Sequence, residues 1–271
     1  VICSSWFLLE SSRVKAEKVI KILFDSTIIS IIVLIVFFIA KFDFSTLSKK
    51  EILKQFVPDL FANVWFVPCY AAFYLIHPLL NGAIGSMNKK VHFTFCVITF
   101  AFFGVLGLAG WGGVIMNEFV CFCVVYFIVG FIKKYAKTFC ENRKVNRIAF
   151  LLFTFIFIVL IVIKNVFGLT FVKLDQFYSP ILLPALLCLF NLFNGLNIKS
   201  KTINYLSSCS LFVYCIHENY LLRKIVRPLY YKKVLEICFN AYFGWIMLCA
   251  VGMFVGAYFL SILYKQTISK V

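Results

Sequence analysis

Long, nearly unbroken apolar runs constrain this chain most. IIVLIVFFIA at 31–40 and FLLFTFIFIVLIVI at 150–163 are typical. Neither run alternates with a period of two, so they read as helices rather than barrel strands. The sequence of 271 residues is 63% hydrophobic and 14% charged, with a mean hydropathy of +0.97. Soluble domains carry roughly 25% charged residues, and a globule of this length cannot hide so much apolar mass. In hydrocarbon every backbone N–H and C=O needs a partner within the protein, which selects helices.

The expected fold is all-α, a polytopic transmembrane helical bundle of about eight spans. The runs place them near Leu23–Ala40, Asn63–Leu80, His92–Ala109, Asn117–Ile132, Ile148–Val166, Pro180–Leu196, Ile203–Ile216 and Ala241–Leu263. No soluble domain, repeat or low-complexity linker interrupts them, so residues 1–271 read as one integral membrane domain. Val1–Leu9 is apolar but too short to span, and Glu10 follows it. Without a basic leading segment it is not a signal peptide and reads as the tail of a span.

A formal net charge of +16 raises the possibility of nucleic acid. The basic residues, however, sit in short clusters between apolar runs, as in membrane loops. With the N-terminus inside, 16 of the 27 Lys and Arg fall on the cytoplasmic side. Five of the other 11 crowd one outer segment: Arg223, Lys224, Arg227, Lys232 and Lys233. The bias predicts a multi-pass plasma-membrane protein with both termini of this chain cytoplasmic. The exceptional segment is a natural anion site at a membrane surface, or marks a misplaced span. Most of the 11 cysteines, such as Cys96, Cys121, Cys123, Cys188 and Cys249, lie inside apolar runs and read as small hydrophobes. There is no CxxC or Cys/His spacing, and no metal is expected.

Two stretches carry polar chemistry. In the first, Tyr70, Tyr74, His77 and Asn81 fall on one helical face in WFVPCYAAFYLIHPLLN. Such a stripe must face protein or a wet cavity, since lipid penalises each polar group. Pro68 and Pro78 free backbone carbonyls there. Either the stripe is a helix–helix contact sewn by tyrosine hydroxyls, with Trp65 as interfacial anchor, or it lines a substrate cavity. In the second, SLFVYCIHENYLLR, a histidine adjoins a glutamate at a span end and can accept a proton. Asn219, Arg223 and Arg227 lie four apart and, on a continuing helix, form one donor-rich face suited to phosphate or an oxyanion. The alternative is that His217 and Asn219 cap a helix. His92 is given no role. GxSxG, P-loop, GxGxxG and HExxH motifs are absent.

These stretches resemble the acyltransferase family 3 integral membrane proteins, especially the branch that O-acetylates capsule, exopolysaccharide and other cell-surface glycans. VICSSWFLLE with RVKAEKVIKILF resembles the family's "NCFxLISGYF" span end and its basic sequel. NVWFVPCYAAFYLIHPLLN resembles "YWFxxxYxxLYLxSPxLN", NEFVCFCVVYFIVGFIKKY resembles "xxFxxLYxxGxYIRKY", and SLFVYCIHENYLLR resembles "TFGxYLIHxNxxxR". They occur in the expected order over nearly the whole chain. His77 departs from the family's small hydroxyl residue before the proline.

The resemblance implies transfer of an acyl group, usually acetyl from acetyl-CoA, to a hydroxyl of a polysaccharide, glycolipid or lipid-linked glycan. It places Trp65, Phe66, Tyr70, Tyr74, Asn81, His217, Asn219 and Arg223 at motif positions. His217 and His77 are the catalytic candidates, and Trp65, Tyr70, Tyr74, Asn81, Asn219, Arg223 and Arg227 the substrate-binding ones. Lys18 and Lys21, in the basic run, are candidates for the CoA phosphates, though ordinary positive-inside topology explains them equally well. The family has about ten spans, the first bearing an arginine and a catalytic histidine. On that template the chain is expected to start inside the second span and to retain the last eight. A polysaccharide flippase, a glycan polymerase and an inactive fragment are the competing readings. The first predicts broken helices in two related halves and the second a large outer loop; neither feature is evident.

Overall fold

The computed structural model describes residues 1–59, 64–108, 118–169, 174, 179–196, 198–229 and 242–267, and every regular element among them is helical. In chain order these are α1 (Ile2–Leu8), α2 (Ala16–Ile39), a 3-10 turn (Phe44–Thr46), α3 (Lys49–Phe56), α4 (Phe66–Ser86) and α5 (Lys89–Leu108). There follow α6 (Glu118–Tyr135), α7 (Lys137–Glu141), α8 (Arg143–Val166), α9 (Leu182–Asn194), α10 (Lys201–Ser208), α11 (Ser210–His217), a π-helical turn (Leu222–Val226) and α12 (Tyr242–Thr267). The expected span ends at Asn63, Ala109, Asn117 and Ala241 lie outside the described residues, as do Lys232 and Lys233.

Three described helices are long and apolar enough to cross a membrane: α2, α4 and α8. At about 1.5 Å per residue each reaches the roughly 30 Å of a hydrocarbon core. Helix α8 shows why lipid must be its solvent. Leu151, Phe155, Ile158 and Val162 are all more than half exposed, which water does not tolerate over so long an apolar helix. Helices α5, α6 and α12 occupy the places of three further expected spans. Helix α9 is apolar but has 13 residues. The predicted span Ile203–Ile216 is instead two eight-residue helices meeting at Cys209. The break falls in Ser207-Ser208-Cys209-Ser210, where the Ser208 hydroxyl donates to the Tyr205 carbonyl at 2.5 Å, drawing that carbonyl away from the ladder. Of the about eight spans expected, three are met by helices of sufficient length and hydropathy among the described residues.

The chain groups into two compact units. The first comprises Val1–Val14 and Ala72–Ile198. Its core joins Cys121, Val125 and Val129 of α6 to Leu183 and Leu187 of α9, with Trp6 and Leu9 packed alongside. Lys133 pins α1 to α6: its ammonium bonds the Trp6 carbonyl, lies 4.8 Å from the Trp6 ring centroid and pairs with Glu10 at 2.7 Å. Asn191 donates to the buried Asn146 side chain at 3.0 Å, joining α9 to α8. Helix α8 starts five residues before its apolar run, because Asn142 caps it by accepting from Val145 N–H. Gly168, at φ +63°, ends it.

The second unit comprises Lys15–Ala71 and Lys199–Val271. Ile29, Val64, Val67, Phe212, Cys215 and Tyr264 form its core, and Phe37, Leu47 and Leu221 a smaller cluster nearer the end of α2. Ser48 and Glu51 form a capping box at the start of α3, each satisfying a backbone donor that the helix itself leaves free.

Candidate functional site

Helix α4 carries the expected stripe, and its two ends serve different units. In the first unit His77 is fully buried. Its Nδ1 lies 2.5 Å from the Tyr74 carbonyl and its Nε2 3.1 Å from the Ser11 carbonyl. Sequence explains the first contact. Pro78 has no N–H to offer the carbonyl four residues back, which is that of Tyr74. The histidine beside it supplies the missing donor where no water can. Asn81 donates to the Leu8 carbonyl at 3.0 Å and to that of Ser11 at 2.9 Å, while its own carbonyl accepts from Tyr126 hydroxyl at 2.5 Å. His77 and Asn81 therefore act here as fasteners of the turn after α1, with both imidazole nitrogens against backbone oxygens. Tyr74 is buried, its ring 5.2 Å from that of His77.

In the second unit the other end of α4 builds an aromatic wall. Phe66 stacks on Tyr70, centroids 5.7 Å apart and rings within 11° of parallel, and packs against Tyr214 at 5.3 Å. Trp65 meets Phe66 edge-on at 6.0 Å. Tyr214 hydroxyl accepts from the Phe66 N–H at 3.2 Å, so its own hydrogen is available to another acceptor. One helical turn on, α11 ends at His217, whose side chain is 41% exposed. Its Nδ1 lies 3.1 Å from Glu218 Oε1. The carboxylate favours a hydrogen on Nδ1, which leaves the lone pair on Nε2 for a base's work, while the Arg227 guanidinium stands farther from Nδ1, at 3.4 Å. Arg227 ties the turn together, donating at 3.0 Å both to the His217 carbonyl and to Glu218 Oε1. Arg223 stands 3.4 Å from the other Glu218 oxygen.

Asn219, Arg223 and Arg227 do not share one face. Arg223 and Arg227 both reach Glu218, whereas Asn219 stands at the break after α11, where its Oδ1 accepts from the Leu221 N–H at 3.0 Å as a helix cap. Asn219 is fully buried and donates to Ser30 Oγ at 3.2 Å and Gln55 Oε1 at 3.1 Å; Ser30 itself donates to Gln55 at 2.8 Å. The arginines stay at the surface with Glu218.

Below this triad the polar ladder continues along α2. Ser26 donates to Asp59 at 3.1 Å, and Tyr264 hydroxyl donates to the buried Asp25 at 2.9 Å. Asp25, Ser26, Ser30, Gln55 and Asp59 were not among the expected site residues. The signal was there: an aspartate inside an apolar run is rarely idle. Lys18 and Lys21 are exposed in the first turns of the same helix. Beyond the triad, Glu51 accepts from Tyr220 hydroxyl and pairs with Lys224. Chiefly through Lys224, and then through Tyr220 and the Ser48 N–H, the Glu51 carboxyl is held down to about 2.

The family described as acyltransferase domain, acyltransferase family 3, matches residues 6–262. This chain belongs to that family. Membership accounts for the ordered motifs, and makes the chain a member of a membrane acyltransferase family that carries its aromatic wall and histidine turn in one compact unit. No curated protein and no solved structure matches it.

Proposed function

We propose that this acyltransferase moves an acyl group, acetyl in the simplest case, from acyl-CoA to a hydroxyl of a cell-surface polysaccharide or glycolipid. The observation that carries the reading is the His217–Glu218 pair, clamped by Arg227 at the end of α11. Glu218 and Arg227 orient the imidazole, and Nε2 takes the proton of the attacking hydroxyl. Tyr214 and Arg223 supply donors for the tetrahedral oxyanion. The Phe66–Tyr70–Tyr214 wall offers the apolar, aromatic surface on which the flat face of a sugar ring rests.

The exposed Lys18 and Lys21 are assigned to the phosphates of CoA.

His217→Ala is the test, with O-acylation of the cell-surface glycan read by NMR. Loss of a general base lowers turnover by about 10²–10⁴-fold. Unchanged acylation at unchanged expression overturns the assignment of His217.

A further inference from the structure

Helix α6 distributes its charge as the helix dipole asks, with Glu118 in its first turn and Lys133 and Lys134 in its last. Helix α8 begins the other way. It has no acid in its first turn and opens Arg143-Lys144-Val145-Asn146-Arg147, three cations at its positive end. One of the three serves the fold: Arg143 donates to the Gly195 carbonyl just after α9. Lys133 and Lys134 serve it in the same way, through the Trp6 and Ile84 carbonyls. Lys144 and Arg147 do not. Both are exposed, and neither forms a hydrogen bond or ion pair with any of the described residues.

Their place on the helix is specific. Lys144, Arg147, Leu151, Phe155, Ile158 and Val162 follow one another in steps of three or four, so they form one stripe. The four apolar members are more than half exposed. The buried side of the same helix is marked by Asn146, which accepts from Asn191. Arg147 and Lys164 bracket the apolar run of α8. They are about 26 Å apart at the helical rise, close to the roughly 30 Å of a hydrocarbon core. With that run in hydrocarbon, Arg147 and Lys144 stand in the phosphate layer, on the side of α8 that lipid bathes. The bias that places basic residues in membrane loops leaves their rotation about the helix open; here it is aligned with the lipid-facing stripe.

We propose that Lys144 and Arg147 form a site for an acidic phospholipid, its phosphate between the two cations and its chains along Leu151 and Phe155. The arginine fork takes two phosphate oxygens and the lysine adds a point charge. A zwitterionic lipid brings its own cation with its phosphate and so matches the pair less well. The bound anion also offsets the cost of placing cations at the positive end of the helix dipole. An acidic protein segment fits less well, because the cations continue into an apolar stripe that runs through the hydrocarbon.

The experiment is native mass spectrometry of the purified full chain in detergent, titrated with phosphatidylglycerol and with phosphatidylcholine of the same chains. At about fivefold per cation near the headgroups, phosphatidylglycerol is expected to be retained about twentyfold more tightly. The double variant Lys144→Gln/Arg147→Gln brings it down to the level of phosphatidylcholine. Lys164→Gln, which removes a charge from the other end of the same helix, leaves the preference in place. Without lipid the double variant is expected to melt no lower than the parent, and phosphatidylglycerol raises the melting temperature of the parent alone. Equal retention of the two lipids, or a preference that survives in the double variant, overturns the proposal. A loss in Lys164→Gln as large as that in Lys144→Gln makes net charge the cause, and a lower melting point of the lipid-free double variant commits the cations to the fold; either also overturns it. Displacement of phosphatidylglycerol by excess CoA would give the two cations to the nucleotide and overturn it as well.

Discussion

Asn219 donates to Ser30 Oγ at 3.2 Å across 189 residues of sequence, inside a unit where both side chains are shut off from solvent. That bond and its companion to Gln55 hold the turn carrying His217 onto α2. Asn219→Ala leaves the Gln55 and Ser30 oxygens short of a donor, at about 1–3 kcal/mol. The expected outcome is a lower melting temperature in detergent and a fall in acylation.

His77 and Pro78 form a testable pair. His77→Ala strips the Tyr74 carbonyl of its donor in apolar surroundings and is expected to cost about 1–3 kcal/mol. Pro78→Ala on the same chain returns a backbone N–H to that carbonyl. Thermal unfolding of the two single variants and the double should therefore show the double more stable than His77→Ala alone. Additive losses would show that the histidine does not stand in for the proline's missing N–H.

Glu51 gives a pH signature. An unfolded glutamate titrates near about 4.3, and the folded carboxyl is held down to about 2, first of all by Lys224. The folded pKa is the lower one, so the stabilisation is full above the unfolded value and is lost as pH falls from about 4.3 toward 2. Comparing unfolding of the parent and Glu51→Gln from pH 7 to pH 3, the gap should be constant down to about pH 5 and narrow below it. A gap that widens in acid contradicts the pairing.

Glu218→Gln keeps the shape of the His217 turn and removes the charge that orients the imidazole. A decrease in kcat with little change in KM is expected, smaller than the roughly 10²–10⁴-fold assigned to the base itself. A change confined to KM would make Glu218 a substrate contact.

The helices were legible because hydropathy is a property of windows, and α2, α4 and α8 stand where the long runs predict them. The same averaging concealed Asp25, Ser26 and Ser30, three polar residues diluted by isoleucines on either side. The spacing of Tyr70, Tyr74, His77 and Asn81, in steps of four, three and four, puts them on one helical face, of which Tyr74 and His77 are buried. Spacing does not say whether a polar group serves a substrate or a carbonyl orphaned by the next proline, and only coordinates distinguish the two. Asn219, Arg223 and Arg227 fail as one face because the helix does not run on through Asn219, which caps the next segment by accepting from the Leu221 N–H; a count by fours assumes an unbroken helix.

The ladder on α2 also sets a timetable. At about 5–20 residues per second of synthesis, Ser30 precedes Asn219 by about 10 to 40 s, but Gln55, 25 residues on, follows within about 1 to 5 s. The nascent chain thus ties Ser30 to Gln55 early and waits far longer for its final knot. A ribosome that stalls between those positions releases a membrane protein whose second helix still shows an unfinished hydrogen-bonding surface, the kind of mark by which cellular surveillance tells an incomplete chain from a finished one.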